Sequence, residues 1–260
     1  MNSIYKNITI LGVTVILGGL VPVVQAQPSQ PSKVQSQAVD YLNQGLGKAK
    51  RGEYQRAIAD YTQAIRVNPK LVIAYINRGM AHHDLGDFKR AIADFNQALQ
   101  LEPNSAKAYY NRGEARTDIG DLPGAIADLN QALQINPNYT EAYNNRAVAH
   151  AALGDMQKAI ADLNQVIKIN PKYADAYYNR GKARTALGDA KGAIADYTQT
   201  VRLSPDLAEA YGNRGLLYSQ TGNKRAAIAD LQQAAKLFTQ QDQQDKSQEI
   251  LNFIQQIQQQ

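Results

Sequence analysis

The 260-residue chain has no cysteine and no tryptophan, and only four phenylalanines, three methionines and three histidines. Without thiols there is no disulfide, thiolate metal site or cysteine nucleophile, and no cysteine that could carry a lipid. Of the three histidines, His82 and His83 are neighbours in sequence and His150 is remote, so none forms the one-turn pair with a carboxylate that a metal needs. No glycine-rich phosphate loop follows a strand pattern, and no serine stands with histidine and carboxylate at a suggestive spacing. The sequence therefore predicts no catalytic residue, no metal and no cofactor, and hence no enzyme. Charge is not massed either. The formal net charge is +5, but Lys and Arg alternate with Asp and Glu without a basic run, which predicts a mixed solvated surface and no nucleic-acid partner.

What is present begins with an apolar stretch from Ile8 to Val24, preceded by Lys6 and followed by the small-residue pattern Val24-Gln25-Ala26. This predicts a secretory signal over residues 1–26, cut after Ala26, and a periplasmic or secreted protein with no stable membrane span once cut. An uncleaved anchor is the alternative, although Gly18, Gly19 and Pro22 weaken a spanning helix. Residues 27–37, rich in Gln, Ser and Pro, read as a flexible polar leader.

From there the chain repeats every 34 residues. Tyr41, Tyr75, Tyr109, Tyr143, Tyr177 and Tyr211 are each followed four residues later by a small residue, Gly45, Gly79, Gly113, Ala147, Gly181 and Gly215. A second small column runs Ala57, Ala91, Ala125, Ala159, Ala193 and Ala227, with a turn glycine between the two in every unit, and Pro69, Pro103, Pro137, Pro171 and Pro205 close the first five units. In the third unit the apolar stripe Ala125, Ile126, Leu129, Ala132 and Leu133 is helical, and Gly120 followed by Asp121 reads as a helix stop and a new N-cap. Small residues in mid-helix predict close approach of a neighbouring helix. Asp60, Asp94, Asp128, Asp162, Asp196 and Asp230 recur once per unit, and Arg78, Arg112, Arg146, Arg180 and Arg214 recur in the last five. Repetition suits a scaffold role, with these arginines paired to the aspartates across packed helices.

These columns resemble the tetratricopeptide repeat, a helix-turn-helix unit. The resemblance implies an all-α, right-handed superhelical solenoid of six units, 38–71, 72–105, 106–139, 140–173, 174–207 and 208–241. Thr239 in place of the last proline, Thr200 in place of a small alanine, and Gln44 in place of the arginine column are local departures. Residues 242–260, with Ile250, Leu251, Ile254 and Ile257 at helical spacing among glutamines, read as a capping helix, with a coiled-coil seam as the rival.

The polar column that never varies is Asn43, Asn77, Asn111, Asn145, Asn179 and Asn213. An amide both donates and accepts, so such a ladder can hydrogen-bond an extended peptide backbone, or else brace the neighbouring unit. The resemblance places these six on a concave groove, with Leu42, Ile76, Tyr110 and Tyr178 in one adjoining column and Met80 in another. It implies a protein-interaction scaffold binding a peptide or partner segment, whose identity and oligomeric setting the sequence leaves open. A structural subunit of an envelope or membrane assembly, binding through the convex face or tail helix, is the alternative reading.

Overall fold

The computed structural model describes residues 33–259; the expected signal segment 1–26 and the start of the leader lie outside the described residues. Thirteen helices and no strand are found among them. They run in pairs: α1 (Lys33–Ala49) with α2 (Tyr54–Val67), α3 (Val72–Asp84) with α4 (Phe88–Leu101), and α5 (Ala106–Asp118) with α6 (Leu122–Ile135). The series continues with α7 (Thr140–Ala152) and α8 (Met156–Ile169), α9 (Ala174–Ala186) and α10 (Ala190–Leu203), α11 (Ala208–Gln220) and α12 (Lys224–Gln240), and closes on α13 (Gln244–Gln259).

Each pair is folded back at a glycine of positive φ, from Gly52 in the first unit to Gly222 in the sixth. Gly120 has φ of +80° and ends α5, after which the Asp121 side chain accepts a hydrogen bond from the Gly124 N–H and caps α6. The exit of each of the first five units is set by proline. α2 stops at Val67 because Asn68, ahead of Pro69, takes an extended backbone. Where Thr239 replaces that proline, α12 runs on to 17 residues while α10 has 14. At the other end α1 already begins at Lys33, inside the stretch read from sequence as a leader up to residue 37. No proline follows Pro31 there, so nothing stops a helix anchored by the buried Ala38 from extending backward.

Within a unit the two helices approach until a ring rests on a backbone. A Cβ built at Gly45 would lie 2.5 Å from the Tyr61 ring, at Gly79 2.6 Å from Phe95, and at Gly181 2.8 Å from Tyr197. In the fourth unit the facing residue is Leu163, and there alanine, Ala147, is accommodated. Between units, Ala108 of the third packs into the cluster of Ile76 and Phe95 of the second, and so on along the chain. α13 ends the series by laying Ile254 and Ile257 over Ala227 and Leu231, while Leu251 is left exposed on its outer side.

A polar connection runs through the same stack. Arg112 donates from Nε and Nη2 to the two oxygens of Asp128 at 2.9 and 2.6 Å, tying α5 to α6. Its Nη1 reaches Asn96 of the preceding unit at 2.6 Å, and its guanidinium carbon lies 5.5 Å from the centre of the Tyr109 ring. Arg78, Arg146, Arg180 and Arg214 repeat this arrangement with Asp94, Asp162, Asp196 and Asp230, so one side chain holds three helices. In the first unit, where Gln44 stands, Lys48 takes over and pairs with Asp60 at 2.6 Å. Lys48 belongs to the column of His82, Arg116, His150 and Arg184. Arg116 and Arg184 likewise add a second guanidinium to Asp128 and Asp196, each at 2.8 Å.

That redundancy sets an expected order of damage. Arg146→Met leaves Asp162 buried without a guanidinium, and costs about 3–5 kcal/mol as breaking a buried pair does. Arg112→Met costs less, because Asp128 keeps Arg116. Chemical denaturation of the two variants, compared at the same pH, checks the order.

Candidate functional site

The first helices of successive units touch one another, α1 to α3, α3 to α5, α5 to α7 and α7 to α9, whereas the second helices of successive units lie further apart. The stack therefore curves with first helices on its inner side. The asparagine column runs along these first helices. Its six members are not alike: Asn43 is exposed, Asn77 and Asn111 are buried, and Asn145, Asn179 and Asn213 are half-buried.

The reason for the difference lies 35 residues earlier. Asn145 donates from Nδ2 to the Tyr110 hydroxyl at 3.2 Å, Asn213 to the Tyr178 hydroxyl at 3.4 Å, and Asn179 to the Asn144 carbonyl oxygen at 3.3 Å. Each amide reaches back to one side chain of the preceding unit. Where that side chain is aliphatic there is nothing to reach: Asn111 faces the column of Ile76, and its Nδ2 is buried with no acceptor. A buried N–H left without a partner costs about 1–3 kcal/mol.

The adjoining column also divides. Leu42 and Ile76 are 8% and 4% exposed and belong to the cores built on Tyr61 and Phe95, which leaves little of them to offer a ligand. An aliphatic side chain has no polar end to bring to water and sinks between the helices. Tyr110 and Tyr178 are half-buried, their hydroxyls held by the amides, with Tyr110 stacked on Tyr139 at 4.9 Å between ring centres. Burial pushes the Tyr110 hydroxyl well above the usual phenol range and that of Tyr139 up to about 12, so both stay neutral donors. Met80 is exposed on the inner side.

Three hollows follow one another along this face. The first, about 60 Å³, lies among Met80, His83, Asp84, Phe95, Asn111 and Glu114. The second, about 160 Å³, shares Glu114 and adds Thr117, Asp118, Asn145 and Val148. The third, about 410 Å³, shares Val148 and is walled mainly by Ala147, Ala151, Ala152, Leu163 and Ala183, with Asn179 and Lys182 also on it. Each shares a wall residue with the next, so the three line up as an interrupted trench across four units. A separate hollow of about 390 Å³ sits where Tyr178 and Leu216 meet Ile250 and Phe253 of α13.

Sequence reasoning found the asparagines and tyrosines but missed the alanines that line the third hollow. Their signal was present as the replacement of larger residues by Ala151 and Ala152 where other units carry His83 and Asp84 or Thr117 and Asp118. Burial raises the Glu114 carboxyl above its ordinary 4.5, with Asp118 and Asp84 adding to the rise and His83 opposing it. A carboxyl raised on folding contributes its stability below the unfolded value and loses it as pH rises through the folded one. Glu114→Gln is therefore expected to raise the thermal midpoint at neutral pH, the gain vanishing once the pH falls below 4.5; thermal melts across that range decide it.

Among the described residues no group of three or more His, Asp or Glu could hold a metal ion, and no helix is long and apolar enough to cross a membrane. Family models described as TPR repeat match residues 113–154, 150–188 and 181–222, and others described as tetratricopeptide repeat match 42–106 and 208–251. Among solved structures the chain is similar to MamA, at 27% identity and TM-score 0.58, over 64% of this chain and 96% of that one. It is similar at 21% identity and TM-score 0.61 to YrrB, a TPR protein with an unusual peptide-binding site, over 74% and 97%. With PilW, a widely conserved type IV pilus biogenesis factor, identity is 20% and the TM-score 0.73, over 82% and 98%. No curated protein matches the chain.

Proposed function

The chain belongs to the tetratricopeptide repeat family, and we propose that it acts as a non-enzymatic scaffold that holds an extended segment of a protein partner along its inner face. The observation that carries this reading is the row of hollows along the first helices, with amides and carboxylates on their walls. In this reading Asn111, Asn145 and Asn179 hydrogen-bond the partner's backbone, and Tyr110 and Tyr178 serve as rigid anchors with few rotamers to lose. Asn43, Asn77 and Asn213 continue the ladder at its ends, with Met80 as an apolar contact beside it.

The same proposal makes the protein an exported one, its signal removed after Ala26 and its site of action the periplasm or the outside. The sequence pattern of residues 1–26 supports this. Intact-mass analysis of the protein recovered from its natural host is expected to give a chain starting at Gln27; a chain retaining residues 1–26 sinks the export reading as stated.

For the groove itself, replacing Asn111, Asn145 and Asn179 together by alanine removes three amides at about 1 kcal/mol each, so partner capture is expected to weaken by roughly a hundredfold. Capture that survives at full strength means that the partner sits elsewhere, on the convex face or on α13. Circular dichroism of the triple variant guards against loss of fold.

A further inference from the structure

Resting on the groove reading, we propose that the trench selects a segment carrying one cationic side chain, Lys or Arg, with a large apolar side chain about three residues away. The two ends of the trench differ in chemistry. Its first two hollows carry Asp84, Glu114 and Asp118. They are contacted by the imidazole of His83, whose Nε2 lies 2.7 Å from an Asp118 oxygen. The third hollow is apolar, because Ala147, Ala151, Ala152, Ala183 and Ala186 are all too short to fill it.

A cluster of acids alone could be mere solvated surface. Asn111 argues otherwise. It is 6% exposed, lines the same hollow as Asp84 and Glu114, and holds a buried Nδ2 with no acceptor. A donor left open beside carboxylates fits a ligand that brings both a carbonyl oxygen and a positive charge, as the backbone and side chain of a Lys or Arg residue do. Burial also holds the Glu114 carboxyl above its ordinary range, a condition that an incoming guanidinium or ammonium relieves.

Spacing fixes the second element. The hollow of Glu114 and Asp118 lies between α5 and α7, and the alanine-lined hollow between α7 and α9. Packed helices stand about 8–10 Å apart, and a segment in the polyproline II conformation advances about 3.1 Å per residue with three residues per turn, so that residues three apart share a face. A side chain seated over the carboxylates and one filling the apolar hollow are thus about three residues apart. Lys182, on the far wall of the apolar hollow, repels a second cation there and so discourages the reversed arrangement.

Fluorescence anisotropy with the chain from Gln27 and labelled decapeptides tests the assignment. The peptides share a neutral, polar frame and differ at two positions: Arg-x-x-Leu, Glu-x-x-Leu and Arg-x-x-Ser. Arg-x-x-Leu is expected to bind most tightly, with each of the other two weaker by about tenfold or more at low ionic strength, and with the Arg-dependent part fading in high salt. The double variant Glu114→Gln, Asp118→Asn should erase the preference for Arg over Glu, while Ala152→Phe, which fills the third hollow from an exposed position, should erase the preference for Leu over Ser. Equal binding of Arg-x-x-Leu and Glu-x-x-Leu, a charge preference unchanged in the double variant, or no binding by any of the three peptides overturns the proposal. If instead Glu-x-x-Leu binds best and loses affinity in the Asn111, Asn145, Asn179 alanine variant, the cationic assignment falls while the groove reading stands. Thermal melts of each variant confirm that the fold is kept.

Discussion

Every helix in this chain depends on the next one for cover. A first helix buries its small residues only under the ring or leucine of its own second helix, and that pair is covered only when alanines such as Ala108 or Ala176 of the following unit close over it. Among the described residues no single core is shared by all the units, so no face is consumed by a common centre. The inner side of the curve is left as surface, as are the outer face and the ends.

The guanidinium fork adds what burial lacks, a fixed register. An apolar stripe can slide, but an arginine that binds both oxygens of one aspartate, stacks on its own tyrosine and donates to the preceding unit accepts one geometry. The third and fifth units reinforce the aspartate with a second guanidinium, Arg116 or Arg184, whereas the second and fourth place His82 and His150 there, neutral because burial lowers both imidazoles. Ion pairing on the aspartate is therefore densest at the third and fifth units. Between them lies the fourth, with Ala147, Ala151 and Ala152, and there the trench opens widest.

Function in such a scaffold comes from departures within identical columns. The same asparagine is a clamp on Tyr110 at position 145, a link to Asn144 at 179, and an open donor at 111. The same small position is forced to glycine under Phe95 but permits alanine opposite Leu163. A repeated frame fixes where side chains stand, and local exceptions decide which of them are left without a partner.

The sequence by itself determined the unit, its count, the turns at Gly52 through Gly222 and the pairing of arginine with aspartate, because each of these is set within one period by spacing and backbone conformation. Only the tertiary structure decided that Leu42 and Ile76 sink into the core, that α1 begins at Lys33, and that the asparagine amides answer to residues in the unit before. Those outcomes depend on contacts across a unit boundary, where the curvature of the stack brings together side chains 35 positions apart. A period of 34 aligns residues in columns, but it does not say which neighbour in the adjoining column each will touch.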